Sequence, residues 1–384
     1  MKILLVGNHP GDRIESMEKF AALLAREIAR QGHETRIVAP TVLFRKRKPV
    51  PFPGSKWLYY FDKYILFPFR LRKEIQWADI VHIGDQGLGI LIHFIHDKPH
   101  LITCHDLLCI RSLYGENVYC RISATGKIYQ RLILSGLRKA GAIVAVSKYT
   151  LNDVRHFLTN VPAKRVRVIH NGLNHPYHPI PKEEIQKRLR YVLGLQTDLK
   201  YILHVGTSLE RKNRATILRT FHKISSTFSG QLVFAGEKLT KALVDLAVRL
   251  GIKDRIVEVV HPENEILEAL YNGSFVFFFP SFSEGFGWPV IEAQACGIPV
   301  LCSDIPPLRE IGGKGAIFCP PEDDNAFAIA IKDLLSSKER WMSLSKAALE
   351  NARQFSSEAM ASSYLKFYLE ILDNPTMPSS IFAE

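Results

Sequence analysis

PSFSEGFGWPVIEAQACGIPV, residues 280–300, follows an apolar run, Phe275 to Phe279, that reads as a buried parallel strand. Two glutamates, Glu284 and Glu292, stand in this stretch with seven residues between them. On one continuous helix they would lie about 12 Å apart along the axis and about 80° apart around it. Gly285, Gly287 and Pro289 exclude that, because they mark a loop that turns into a helix near Pro289. Glu284 is therefore expected in a loop at the carboxyl end of a strand, and Glu292 in the first helical turn.

The residue before Pro289 is Trp288, which cannot cap free helix N–H groups as Ser, Thr, Asp or Asn would. Such a start, beside glycines at a strand end, suits a bound phosphate. It equally suits a turn whose N–H groups bond water or a neighbouring loop.

Outward from this stretch the chain repeats one pattern. KILLVG (residues 2–7), GHETRIVAP, ADIVHIGD, HLITCHD, GAIVAVS and RVRVIHNG read as six short apolar strands with helical material between them. A helix is expected from about Arg13 to Arg30, with Asp12 and Glu15 at capping-box spacing. From residue 199, KYILHVGT, GQLVFAGE, RIVEVV, SFVFFFP, IPVLCSD and GAIFCP form a second such series. Strands alternating with helices predict an α/β chain with two doubly wound, Rossmann-like parallel sheets. The expected domains are 1–177 and 199–355, joined by a Pro-rich, charged linker at 178–198 with a short helix. Residues 40–75 read as irregular. A last helix, about 356–373, follows one ending near Gln354.

The 384 residues suffice for two cores, and 47% hydrophobic with 23% charged residues is ordinary for a globular protein. No apolar run approaches the ~18 residues of a membrane span, and MKILLVGNHP enters a strand directly rather than a leader. Six cysteines without a C-x-x-C pair read as reduced core residues, so the protein is expected in the cytoplasm. Residues 1–180 hold 27 Lys and Arg against 13 Asp and Glu, whereas the remainder holds 23 against 25. The excess of the +12 net charge thus lies in the N-terminal half. With no nucleic-acid recognition motif, an anionic membrane surface or lipid-phosphate acceptor fits better, the alternative being a basic surface kept for solubility. Arg45 to Lys48 and the aromatic segment from Trp57 to Phe69, followed by Arg70, Arg72 and Lys73, carry that expectation.

The order PS, two residues, EGFG, one residue, P, two residues, EA, then GIPV resembles the signature of the family 4 glycosyltransferases. The resemblance implies the two-domain GT-B fold, with the carboxyl ends of both sheets at one cleft and the last helix packing back on the first domain. It implies a retaining hexosyl transfer from a nucleotide-diphosphate sugar, GDP- or UDP-linked, to a glycan or lipid-linked acceptor, with no cofactor and no metal. The alternatives are another nucleotide-sugar enzyme of this fold, such as an epimerase, or a non-catalytic nucleotide-sugar-binding protein.

HVGTSLERKN places Arg211 and Lys212 just beyond the first strand of the second domain, beside Gly206. Two cations there suit a diphosphate leaving group; the bland alternative is a solvated basic turn. The resemblance assigns them to the donor diphosphate. It assigns Glu292 to the ribose hydroxyls, Glu284 to the sugar hydroxyls, and the backbone of Gly285, Phe286 and Gly287 to close approach to that sugar. Amides near Val290 would bind phosphate. Thr207 stands where some relatives carry an Arg. In LITCHDL, His105 is expected near the reacting carbon and Asp106 as an orienting or capping residue. Gly7 and Gly11 remain of a first loop that departs from the family's double glycine. His93, His96 and His100 read as structural, and the base is expected to meet backbone around 259–266. No D-x-D, Walker loop or G-x-G-x-x-G is present.

Overall fold

The computed structural model describes residues 1–9, 15–40, 60–95, 98–116 and 118–374. It divides into two compact units. The first comprises Met1–Glu116, Arg121–Asn174 and Ser357–Glu384; the second comprises Asn117–Cys120 and His175–Ser356.

The first unit is built on β1 (Lys2–Val6), β2 (Glu34–Val38), β3 (Ile80–Ile83), β4 (His100–Cys104), β5 (Ala142–Ala145) and β6 (Val166–Val168). All pair in parallel in the order β2-β1-β3-β4-β5-β6. The order reverses between β1 and β3, which opens a crevice at their carboxyl ends. The strands β1, β3, β4 and β5 are almost wholly inaccessible because helices cover both faces. The helix Glu15–Arg30 follows β1. Asp12, expected to cap it, lies outside the described residues, as do Gly11, His96 and the basic run Arg45 to Lys48.

Residues 60–77 depart from the irregular segment expected at 40–75. They are helical, with a π turn at Asp62–Leu66 leading into Phe67–Trp77. Pro68 accounts for the wide turn: without an N–H it cannot bond the carbonyl four residues back, and the backbone slackens there. The sequence reading missed this helix because a proline and dense aromatic residues hide its period.

The closing helix Ser357–Asp373 belongs to the first unit. Tyr368 and Tyr364 reach a buried polar chain beneath it. Tyr368 OH lies 2.7 Å from His82 Nδ1, His82 Nε2 lies 2.8 Å from Thr103 Oγ1, and that oxygen lies 2.9 Å from Tyr364 OH. Burial lowers His82 to about 3, so it is neutral and serves only as a hydrogen-bonding bracket.

The second unit holds β7 (Tyr201–Gly206), β8 (Gln231–Gly236), β9 (Ile256–Val260), β10 (Val276–Phe279), β11 (Val300–Ser303) and β12 (Ala316–Cys319). They are parallel in the order β12-β11-β10-β7-β8-β9, reversing between β10 and β7. β10 shows why a continuous apolar run makes such a strand. Phe278 points to one face and meets Phe327 at 4.8 Å, while Phe277 and Phe279 stack on the other face at 5.7 Å. Each fully buried Phe contributes about 2–3 kcal/mol of transfer free energy. The end of β8 needs a glycine, since a side chain on Gly236 (φ +111°) would run into Gly206 O.

Residues 178–198 pack as part of this unit rather than as a free connection. Their helix, Lys182–Leu189, is bound through Arg188, which donates to Glu184 at 2.8 Å and to buried Glu268 at 2.9 Å.

Candidate active site

Arg211 and Lys212 lie in a short turn, Glu210–Lys212, directly after β7, and Glu284 lies in the loop after β10. The strand order reverses between those two strands, which is where open α/β sheets bind ligands. Lys212 Nζ donates to Glu284 Oε1 at 2.6 Å, and Arg211 donates to Glu284 Oε2 at 2.9 Å and to Ser283 O at 3.1 Å. Phe282 N donates to Arg211 O at 2.8 Å, so the two loops are also tied through backbone.

Both ends of this cluster are buried, and the charges settle one another. Burial alone would raise Glu284, but Lys212 and then Arg211 outweigh it and hold its carboxyl at about 2. Burial lowers Lys212 to about 8; Glu284 opposes that shift and Arg211 adds to it. The glutamate therefore supplies the negative charge at this point of the loop.

The scaffold behind the pair comes from two residues the sequence reading passed over. Asn213 adopts a left-handed conformation (φ +52°), and its Nδ2 donates to Pro280 O at 3.0 Å and Pro321 O at 2.7 Å. Arg214 is buried and donates to Gly206 O at 2.6 Å, Ser208 Oγ at 2.8 Å and Glu237 O at 2.8 Å. It fixes the ends of β7 and β8 while Arg211 and Lys212 face the carboxylate. The signal was present, since NR continues the basic run, but an arginine two residues further on reads as surface until burial is known.

The helix Trp288–Ala295 begins at Gly287 in a left-handed conformation (φ +112°) with no side-chain cap. A Cβ at 287 would lie 2.7 Å from Leu308 Cδ2, so both space and conformation require glycine. Two details differ from expectation. Glu292 falls in the second turn, because the helix starts at Trp288 rather than Pro289. The N–H of Val290, expected at a phosphate, donates to Gly287 O at 2.9 Å, because the chain closes a tight turn there. Phe286, next to Gly285, is buried and meets Trp288 and Phe355 edge-on.

Glu292 is almost fully buried, and its Oε2 accepts from Tyr271 OH at 2.8 Å. Tyr271 is wholly buried, with Tyr177 edge-on against it at 5.6 Å. Burial, then the charge of Glu292, pushes the Tyr271 hydroxyl well up, so it stays a donor. Tyr271 was also missed, because an aromatic residue at helical spacing reads as core.

Residues 17–175 match the model described as Glycosyltransferase Family 4, and residues 185–354 match Glycosyl transferases group 1. D-inositol 3-phosphate glycosyltransferase of Mycolicibacterium smegmatis is 30% identical over 377 residues, covering 88% of this chain and 82% of that protein. This chain belongs to the family 4 glycosyltransferases. An O-antigen chain mannosyltransferase of Salmonella typhimurium is 29% identical over 259 residues, 66% of this chain and 67% of that one. The structure of Anabaena HepE in complex with UDP-glucose superposes with a TM-score of 0.72 at 14% identity, covering 96% and 100% of the two chains, and shares the GT-B fold.

In the first unit of this glycosyltransferase, His105 follows β4 and is buried, edge-on to Phe20 at 4.8 Å. Its Nε2 lies 3.0 Å from Gly84 O, and a carbonyl only accepts, so Nε2 carries the proton and Nδ1 is an acceptor. Burial pulls its pKa below the ordinary value, against Asp85 and the bond to Gly84. Asp106 Oδ1 accepts from Leu108 N at 3.1 Å, at the start of the short helix Leu108–Leu113. His100 is a bracket between Lys98 O and Gly141 N. Among the described residues, no group of three or more His, Cys, Asp or Glu is placed to hold a metal, and no helix is long and apolar enough to cross a membrane.

Proposed function

We propose that this glycosyltransferase moves a hexose from a GDP- or UDP-linked sugar to a hydroxyl of a glycan or lipid-linked saccharide, with retention and without metal. The observation that carries the reading is the pair Arg211 and Lys212, converged on one buried carboxylate where the strand order reverses. A nucleotide diphosphate brings about two negative charges to the same cations, and these stabilise it as it leaves. The name of the Salmonella relative, a mannosyltransferase, and the UDP-glucose bound by the Anabaena protein support a nucleotide-sugar donor.

In this reading Glu292, oriented by Tyr271, holds the ribose, and Glu284 reaches the sugar hydroxyls once the diphosphate takes over Arg211 and Lys212. Gly285 to Gly287 let backbone approach the sugar, and Gly206 leaves room for the Lys212 stem. The acceptor oxygen bonds to the anomeric carbon from the face the phosphate leaves. The carbon–phosphate oxygen bond breaks, and the acceptor proton passes to a departing phosphate oxygen. The protein contributes positioning and charge.

A peripheral contact with anionic lipid belongs to the same reading. Phe61, Ile65 and Phe69 are exposed at successive four-residue steps of the helix at 60–77, beside exposed Arg70, Arg72 and Lys73. A thermal-shift screen against UDP, GDP, ADP and their sugars tests the donor, since a ligand of the native state raises its melting point. Stabilisation by none of them overturns the reading. Release of free nucleotide only with an acceptor present separates transfer from epimerisation.

A further inference from the structure

In the second unit, β7 buries a histidine close to the turn that carries Arg211 and Lys212. His204 is inaccessible, stacked on Phe279 with ring centroids 6.0 Å apart and edge-on to Phe234 at 5.7 Å. Two cations of the following loop rest on the same rings. Lys212 Nζ lies 4.7 Å from the centre of Phe279, and Arg214 Cζ lies 5.3 Å from that of Phe234. One contact fixes the imidazole tautomer: Nδ1 lies 3.0 Å from Phe278 O, which only accepts, so Nδ1 carries the proton and Nε2 a lone pair. Nε2 is buried and has no hydrogen-bond partner among the described residues.

A phenylalanine would fill this place among aromatic rings without leaving a buried polar atom unpaired, which costs stability. The direction of Nε2 gives the histidine a purpose. A Cβ on Gly206 would lie 3.6 Å from Nε2 and 3.7 Å from both Cδ and Cε of Lys212, so the nitrogen and the lysine stem border one small space. The charged groups around it are Lys212, Arg211, Arg214 and Glu284, with Glu237 and Glu258 acting on Arg214. Burial, then the charge of Arg214, holds His204 well below its ordinary pKa, so the imidazole is neutral. A neutral acceptor favours the ammonium form of lysine without cancelling its charge. Glu284 favours it too, at 2.6 Å, but a carboxylate competes with any diphosphate for the same cation.

We propose that His204 is a positioning residue for the transfer: its Nε2 lone pair faces Lys212 and holds the ammonium in place as a diphosphate displaces Glu284. The assignment rests on the donor reading proposed above.

Two substitutions divide the imidazole. His204→Asn keeps a donor near Phe278 O and removes the acceptor at the Nε2 position, whereas His204→Gln keeps that acceptor and removes the donor. UDP and GDP are titrated calorimetrically into the parent and both variants from about pH 6.5 to about pH 9. Parent affinity should fall as Lys212 loses its proton at about 8. In His204→Asn the fall should come about one pH unit earlier, so that binding is about fivefold weaker at about pH 8 and nearly equal to the parent's at about pH 6.5. His204→Gln should follow the parent. A His204→Asn profile that superposes on the parent's overturns the proposal, even where the melting point drops, because a structural role alone predicts that pattern. A His204→Gln profile displaced as far as that of His204→Asn overturns it too. The imidazole is also read directly, by nitrogen NMR of the parent without nucleotide, whether or not the variants fold. The unprotonated Nε2 should shift as pH crosses about 8, and Lys212→Met should abolish that shift. A signal indifferent to both pH and Lys212 overturns the proposal. Failure of the parent to bind UDP or GDP at any pH counts against the donor reading, and the NMR result then decides the placement of His204 by itself.

Discussion

Replacing Glu284 by glutamine separates two roles that one carboxylate combines. In the unliganded protein it neutralises Lys212 at 2.6 Å and Arg211 at 2.9 Å, with its own side chain only 8% exposed. Its pKa falls from 4.5 to about 2 on folding. A depressed acid stabilises the fold above its unfolded pKa, and that stabilisation disappears as pH falls through about 2. At neutral pH the difference corresponds to about 3 kcal/mol, within the range for breaking a buried ion pair by removing one partner. For a unit of this size that is a fall of about 6–12 °C in melting temperature. A nucleotide diphosphate restores negative charge to the same two cations. Saturating UDP or GDP, whichever binds, should therefore raise the melting point of Glu284→Gln by more than that of the parent. Turnover should fall sharply in the same variant. Calorimetric melts of both proteins, with and without nucleotide, measure all of this. A melting point within about 2 °C of the parent, or a smaller nucleotide shift in the variant, refutes the reasoning.

Tyr271→Phe should raise the donor KM by about 5- to 100-fold, the loss of a hydrogen bond to a charged group, while kcat holds. It should also erode discrimination between ribo- and 2′-deoxynucleotides, which a purely structural defect would not do. Nucleotide affinity should decline as pH rises through about 8, where Lys212 loses its proton, by about fivefold between about pH 8 and about pH 9. Lys212→Arg should flatten that profile in calorimetric titrations. Changing Phe61, Ile65 and Phe69 together to Ser should weaken sedimentation with anionic vesicles, and salt should weaken it in the parent. Equal sedimentation with neutral and anionic lipid ends the membrane reading.

The twelve strands among the described residues were legible because most are short apolar runs bounded by turn residues, as parallel strands covered on both faces must be; β2 (ETRIV), largely exposed, was legible from the turn before it and its place in the alternation. Glu284, Arg211 and Lys212 were legible as a group from their places after strands. Their mutual pairing was not, since sequence spacing cannot show that residues 72 and 73 positions apart in the chain meet. Tyr271 and Arg214 escaped notice for a related reason. Each acts through a buried side chain whose partner lies on another element. The helix at 60–77 was hidden by Pro68, which normally ends a helix and here only widens one turn.

The bracket formed by His82, Thr103, Tyr364 and Tyr368 bears on the order in which the chain acquires structure during synthesis. Domains ordinarily complete themselves from the N-terminus as they emerge. Here the first unit waits for Ser357–Asp373, whereas all but four residues of the second run continuously from His175 to Ser356. A nascent chain released short of Tyr364 would lack the hydroxyls that His82 and Thr103 meet and the two tyrosine rings that cover His82, leaving that face of the sheet open to water. The unit begun first is thus closed only after the continuous run of the second has been made, so losing Ser357–Asp373 leaves the second unit whole and the first one open.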